Sequence, residues 1–377
     1  MAGIEAVVCV PVRDEEERLA RLCRALACQV RLDGQPFDCG AIGVVLMLNN
    51  CRDGSLDVAR RAVHRHDRLH IEIIATELEA ARAHVGTARR IAMDAGAEML
   101  RRHGAPHGAL LTTDADAVPA NDWIATNLAA IAEGADLVGG VLGHLPDDAE
   151  PMPAGVIRIG RRLRAYRAAI DRLEAMLDPL PYDPEPRHWD HTGASLAISG
   201  KAYIGVGGLP PLRCREDLAL VAAVRRAGGR VRHCPAVRVM VSTRMIGRAT
   251  GGMADTLSGW ARAVTGGAGI LVQDPARAEK LFRARASLRG LFSAGVSPAT
   301  KDVVEVARRT GIEPSAVAIA LHGAASAGAL VESLLPDTPD APATVPLDGA
   351  LRSLQARLRL GGETTMGQET MEGAAAP

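Results

Sequence analysis

Five short apolar runs punctuate the first 145 residues: Ala6–Val12, Ile42–Leu48, His70–Ala75, Gly108–Thr113 and Asp136–Leu142. Each is β-branched or Leu-rich and nearly continuous in hydrophobicity, as strands covered on both faces must be. Helical spacing fills the gaps between them. Leu19, Leu22, Cys23 and Leu26 recur at i, i+3, i+4, i+7, and Ser55 stands where it can cap a helix carrying Leu56, Ala59 and Val63. Ala88, Ile91, Ala92, Ala95 and Met99 stripe a third helix, and Asn121 opens a fourth through Trp123, Leu128 and Ile131. This alternation predicts a doubly wound α/β sheet, whose ligands sit beyond the carboxyl ends of the strands.

Further along, Ile159, Leu163, Tyr166, Ile170, Leu173 and Leu177 give one long helix with a single apolar seam. That seam packs on its own domain or on a second copy, so a homodimer stays open. A Pro-rich loop, Pro179 to His191, leads to strand Ala194–Ser199, a Gly-rich turn, an acidic helix start and strand Arg230–Ser242. Helices are predicted near 275–290, 299–309 and 315–334. Asp337 to Pro346 reads as a linker, and Gly361 to Pro377 as a low-complexity tail too poor in apolar periodicity to offset ordering entropy.

Composition narrows the function classes. Lys+Arg equals Asp+Glu at 44 each, so no net field draws the chain to nucleic acid or to an anionic membrane. Aromatics are 2%, too few for base-stacking platforms. The seven cysteines are scattered without a C-x-x-C pair, which fits a reducing cytoplasm better than a disulfide framework. The N-terminus runs straight into an apolar strand with no basic leader, and no stretch reads as a membrane span.

Chemistry concentrates at the strand ends. Thr112-Thr113-Asp114-Ala115-Asp116 closes the fourth run, and alternation along a strand sends Asp114 and Asp116 to the same side. Two hard carboxylates so spaced suit Mg²⁺ or Mn²⁺ shared with substrate phosphates; read alone, they more commonly mark an Asp-rich turn after a strand. Pro11, ending the first strand, and Arg13-Asp14-Glu15-Glu16-Glu17 put acids in the first turn of the next helix, where its dipole favours them. Asn49-Asn50-Cys51-Arg52-Asp53-Gly54-Ser55 offers amides and carboxylates to a base or ribose, or forms an ordinary Asx turn. Gly207-Gly208-Leu209-Pro210 precedes Glu216-Asp217 at a helix start, where a carboxylate either serves as general base or merely caps.

In this order the segments resemble a family 2 glycosyltransferase of the GT-A fold, from about Ala6 to Gly252. Pro11-x-Arg13-Asp14-Glu15 resembles the family's P-x-R-N-E, which implies that Glu15 contacts base or ribose. Asn49-Asn50-Cys51-x-Asp53-Gly54-Ser55 stands where the family has D-D-x-S-x-D-x-T, with Asn49 in place of the base-reading Asp. Gly86-Thr87-Ala88-Arg89-Arg90 is similar to the G-x-A-x-A-R-N helix start, which brings Arg89 toward base and phosphates. Thr113-Asp114-Ala115-Asp116 with Pro119 and Trp123 is similar to D-x-D-x-x-x-P-x-W-L. Gly193-Ala194 through Gly207-Gly208 and Glu216-Asp217-Leu218 resembles the acceptor half. Ser242-x-Arg244-x-x-Gly247-Arg248 is similar to a segment of some members, making Arg244 and Arg248 candidate diphosphate ligands.

The resemblance implies a GT-A type doubly wound mixed sheet with a Rossmann-like nucleotide-binding half, an acceptor half and a C-terminal helical appendage. The expected divisions are 1–252 for the catalytic domain, 253–335 for helices, and 336–377 for linker, short helix and disordered tail. It also implies transfer of a sugar from a UDP- or GDP-type donor to an acceptor hydroxyl, with inversion. Asp116 and Asp114 would hold the metal, Asp217 would be the base, and Glu216 competes for that role. His191 is a candidate on the acceptor side and His233 for the metal shell. A nucleotidyltransferase of the same fold lacks its Gly-rich triphosphate loop here, and a non-catalytic nucleotide-sugar-binding protein would have no need of Asp114, Asp116 and Asp217.

Overall fold

The computed structural model describes residues 3–145, 153–242, 253–266, 269–297, 300–336 and 344–372, with side chains described except at 253–255 and 360–372. The chain forms two compact units. The first takes Met1–Pro151 and Trp189–Thr256, the second Met152–His188 and Leu257–Pro377.

In the first unit the order is β1 (Ala6–Val12), α1 (Leu19–Ala27), β2 (Ile42–Asn49), α2 (Ser55–Arg65), β3 (His70–Thr76), α3 (Val85–Arg102), β4 (Ala109–Thr112), β5 (Val118–Pro119), α4 (Trp123–Ala132) and β6 (Leu137–Leu145). After α5 (Ala154–Leu177), which belongs to the second unit, come β7 (Leu196–Ser199), α6 (Gly200–Gly205), α7 (Glu216–Arg226) and β8 (Val231–Ser242). Eight strands make one sheet in the order β3-β2-β1-β4-β7-β6-β8-β5. β3, β2, β1 and β4 are parallel, whereas β7 runs antiparallel to both β4 and β6. β8 is parallel to β6, and β5 pairs antiparallel with it. This is the α/β sheet the apolar runs predict, and it is mixed as the resemblance implies.

Burial on both faces explains the continuous hydrophobicity. Ala6, Val8, Val10 and Val12 pack on one face with Leu19, Leu22 and Leu26 of α1 and Trp123 of α4. Val7 and Cys9 turn to the other face with Ala88, Ala92 and Met93 of α3 and Leu220 of α7. Packing holds α1 more than its ends do, because Arg18 at its N-cap makes no capping bond. Three fully buried leucines contribute roughly 1.5–3 kcal/mol each.

Three local expectations are corrected. Pro11 does not end β1; it lies opposite Met47 of β2, and the strand continues to Val12. Pairing with β4 stops at Cys9, so at Pro11 the strand has one neighbour and tolerates a missing N–H. The acids Asp14 to Glu17 precede α1 and contribute none to its first turn. Ser55 does not cap α2 but is its first residue, with Gly54 at the N-cap, and its hydroxyl instead accepts from the Glu15 amide.

The second unit collects α5, α8 (Met253–Thr265, from Leu257 on), β9 (Leu271–Val272), α9 (Pro275–Ser293), α10 (Lys301–Thr310), α11 (Pro314–Gly323), α12 (Ala327–Leu334), β10 (Val345–Pro346) and α13 (Leu347–Glu372). The seam of α5 is covered within this unit: Leu163, Tyr166 and Leu173 pack with Phe282 of α9 and Leu347, Ala350 and Leu354 of α13. The Tyr166 hydroxyl also donates to the Gln273 carbonyl at 2.8 Å. A second cluster joins α9 to α12 through Leu288, Val303, Val317 and Leu330. Buried ion pairs Arg187–Asp183 and Arg289–Asp178 fasten the loop after α5. α13 runs to Glu372 and so takes up most of the segment expected to be a disordered tail, from Gly361 on; 373–377 lie outside the described residues.

Candidate active site

β4 ends at Thr112, and the chain leaves it with alternating exposure. Ala115 and Ala117 are buried while Asp114 and Asp116 are half-exposed, so the two carboxylates share the open side. Thr113 turns inward and its hydroxyl donates to the Ala194 carbonyl at 2.8 Å. Trp123 is fully buried, and its indole N–H reaches the Ser195 hydroxyl at 3.1 Å. These two bonds tie the β4 end to the segment that starts β7.

Arg89 is the hub of the site. It lies in the first turns of α3 and is buried, with its side chain 3% exposed. Its Nη2 donates to Asp114 Oδ1 at 2.8 Å and its Nε to Glu216 Oε1 at 3.1 Å. Its Nη1 donates to both Thr112 Oγ1 and the Gly193 carbonyl at 2.7 Å. Burial alone would lower the pKa of this guanidinium, but Asp114 and Glu216 outweigh it and push it upward. A Cβ at Gly193 would stand 2.7 Å from the guanidinium carbon, so a larger residue there would displace the Arg89 side chain.

Glu216 and Asp217 open α7 and have different surroundings. Glu216 is buried; burial and the adjacent Asp217 raise its pKa above the ordinary carboxylate value, against the pull of Arg89. Asp217 is half-exposed, its Oδ2 accepting from the Gly193 amide and its Oδ1 from the Leu218 amide, each at 2.8 Å. Gly193 therefore joins Arg89, through its carbonyl, to Asp217, through its N–H. The loop before α7 is clamped to α3 in two places. Arg90 Nη1 donates to the carbonyls of Gly207 and Leu209 at 2.9 and 3.0 Å. Gly86 passes so close to Leu212 that a Cβ would lie 1.9 Å from its carbonyl oxygen.

β1 neighbours β4 in the sheet, and β2 neighbours β1 on its other side. The loops leaving them are stapled together: Asp14 Oδ1 accepts from the Arg52 amide, Asp53 Oδ2 from the Glu16 amide, and Glu16 Oε2 from the Gly54 amide. Asp53 Oδ1 also accepts from the Ser55 amide. Burial works against the Asp53 carboxylate, but hydrogen bonds from Ser55 and Glu16 prevail and lower its pKa. Asp14, Cys51 and Asp53 offer ligand atoms within 4.8 Å of one another, yet burial raises the Cys51 thiol. Asn50 spends its amide on the backbone of Leu78. Glu15 and Asn49 are buried, and Asn49 Oδ1 accepts no hydrogen bond.

His191 and His233 form a buried pair, Nδ1 to Nε2 at 3.1 Å, with Trp189 edge-on to His191. Thus Arg89, Asp114, Gly193, Glu216 and Asp217 form one bonded network, with Asp116 beside it. Glu15, Asn49 and Asp53 lie at the adjoining strand ends. Arg13 is exposed and donates to the Ala83 carbonyl, and Pro11 lies within β1. Arg244 and Arg248 lie outside the described residues. The roles of Thr112 and Arg90 are not legible in the sequence; Arg90 has one local signal, its i+4 partner Asp94 at 2.5 Å. A groove of about 670 Å³ at the amino end of β3, lined by His64, His70 and His103, lies at the opposite end of the strands.

No protein-family model matches the chain, and no curated protein matches it. Among solved structures it is similar to S. aureus TarS 1-349 in complex with UDP, at 13% identity and a TM-score of 0.43, covering 98% of this chain and 92% of that one. It is similar to the mannosyltransferase PcManGT of Pyrobaculum calidifontis in complex with GDP-Man and Mn²⁺, at 17% identity and a TM-score of 0.43, over 96% and 83% of the two chains. It is also similar to GalNAc-T7 with UDP, GalNAc and Mn²⁺, at 14% and 0.43, over 82% and 56%. Likeness at this level carries no assignment of activity.

Proposed function

We propose that the chain is a metal-assisted glycosyltransferase that moves a sugar from a nucleoside-diphosphate sugar to an acceptor hydroxyl. The observation that carries this reading is the Arg89 network. One buried cation ties Asp114, at the end of the parallel half of the sheet, to Gly193 and Glu216 in the other half, and Gly193 in turn holds Asp217. A donor-side and an acceptor-side carboxylate are thereby fixed relative to one another, as a transfer reaction needs.

Asp114 and Asp116 fit Mg²⁺ or Mn²⁺, for they are half-exposed hard-oxygen donors on one side of the chain, and only one oxygen of Asp114 is spent on Arg89. Bound there, such a cation offsets the charge that develops on the diphosphate leaving group. Asn49 Oδ1, buried without a donor, suits a ring N–H of uracil or guanine, and Glu15 lies on the neighbouring loop for the ribose. Asp217 takes the proton of the acceptor hydroxyl, since two backbone amides fix its orientation and each oxygen keeps a lone pair. Glu216 is spent on Arg89 and acts by holding it. Attack from the Asp217 side, opposite the leaving diphosphate, gives inversion.

Thermal-shift titration with UDP- and GDP-sugars in the presence of Mn²⁺ tests the proposal. One nucleotide class should raise the melting temperature, and Asp116→Ala should remove the Mn²⁺-dependent part of that shift, measured against the variant's own apoprotein. No shift with any nucleotide-sugar sinks the reading.

A further inference from the structure

The chain as a whole is charge-balanced, but α5 is not. Its 24 residues carry six arginines, at 158, 161, 162, 164, 167 and 172, against Asp171 and Glu174. The two acids are withdrawn from the surface: Asp171 is buried, and Glu174 pairs with Arg187 at 2.8 Å and Arg285 at 3.6 Å. Arg162 is matched by Asp348. Arg158, Arg161, Arg164 and Arg172 are exposed and have no acidic partner among the described residues. The apolar seam is already covered by α9 and α13, so the opposite face presents guanidinium charge to solvent. From Arg158 to Arg172 the row spans about 21 Å at the helical rise.

We infer that this face docks on an anionic phospholipid surface by electrostatics, without insertion. Clusters of four to eight basic residues on an amphipathic helix bind anionic headgroups through the surface potential. Ile157, 40% exposed, is the one large apolar side chain on this face, so the helix has no wedge of aromatic and leucine residues to bury in acyl chains. A bilayer presents its charges already assembled in a plane, whereas a flexible polyanion must be ordered along the row at an entropic cost. The face has no aromatic residue to stack a base, which disfavours single-stranded nucleic acid. Docking of this kind is independent of the proposed transfer chemistry.

Flotation of the full chain with vesicles tests it, using phosphatidylcholine with and without about 30% phosphatidylglycerol, which gives a surface potential of tens of millivolts. Binding should require the anionic lipid and weaken steeply as salt rises from about 50 to 500 mM, as the Debye length shortens. The variant Arg158→Gln/Arg161→Gln/Arg164→Gln/Arg172→Gln should lose about tenfold or more in partitioning. The four-fold Arg→Lys variant should keep it, and circular dichroism should show both folded. No binding to anionic vesicles, equal binding to neutral ones, binding unchanged in the glutamine variant or lost in the lysine variant each overturns the inference. So does retention on heparin or oligonucleotide without vesicle binding.

Discussion

Replacing Arg89 by methionine keeps the length of the side chain and removes the charge that Asp114 and Glu216 share. Glu216 is then left buried with no counter-ion, since its carboxylate is 6% exposed and Arg89 is its ion-pair partner. Removing one member of a buried pair costs about 3–5 kcal/mol, more than twice what an exposed pair contributes. The cost depends on pH in a calculable direction. Burial already raises the Glu216 pKa above the ordinary 4.5, so the folded state holds its proton more tightly than the unfolded one. Such a group favours folding fully below about pH 4.5 and loses that contribution as pH rises through the raised folded value. Without Arg89 the folded value rises further. Urea unfolding of wild type and Arg89→Met should therefore differ by about 3–5 kcal/mol at pH 8 and by clearly less near pH 5. Adding Glu216→Leu should recover much of the loss at pH 8, because the unpaired charge is gone. A penalty below about 1 kcal/mol, or one that does not depend on pH or on Glu216, would refute the hub.

Asp217→Asn should lower turnover by roughly 10²–10⁴ with nucleotide-sugar affinity nearly unchanged, read as kcat against a donor titration; a larger fall with Glu216→Gln in a folded protein transfers the role. Gly86→Ala forces a methyl into the Leu212 carbonyl and should destabilise by roughly 1–3 kcal/mol or more in urea, whereas a neutral result denies the clamp between α3 and the Gly207–Leu212 loop. Asp53→Ala removes the acceptor for the Glu16 and Ser55 amides and should cost about 1 kcal/mol at pH 7. Because the Asp53 pKa is lowered on folding, that difference should be present above about pH 3.8 and vanish as the pH falls through the lower folded value.

The parallel strands are legible because burial on both faces leaves little choice of residue: the run from Ala6 to Val12 is strand β1 to the residue. The carboxylate pair at 114 and 116 is legible for a similar reason, with strand alternation carrying into the turn. The loop acids mislead because acids before a helix look the same whether they face its dipole or a neighbouring loop. Asp14 and Glu16 choose the amides of Arg52 and Gly54, some 38 residues away, which no local pattern encodes. Arg89 is reached only through the resemblance of its helix start, and its role as a buried hub stays hidden for the opposite reason. In a chain whose basic residues are nearly all arginine, nothing local separates a buried guanidinium with four acceptors from a solvated one. The grouping of α5 with the C-terminal helices is likewise non-local, since one apolar seam fits any apolar partner.

The seam also has a history during synthesis. Leu163, Tyr166 and Leu173 leave the ribosome well before Leu347 and Leu354 of α13, their partners in the folded unit. At bacterial or eukaryotic elongation rates a separation of about 180 residues is roughly 10–40 s. For that interval α5 is a nascent helix with one sticky side, while the sheet on either side of it in sequence can already close. Chains that terminate before Leu347 acquire only the α9 part of the cover and should be held by chaperones or recovered in aggregates, although every residue of the candidate active site has been made.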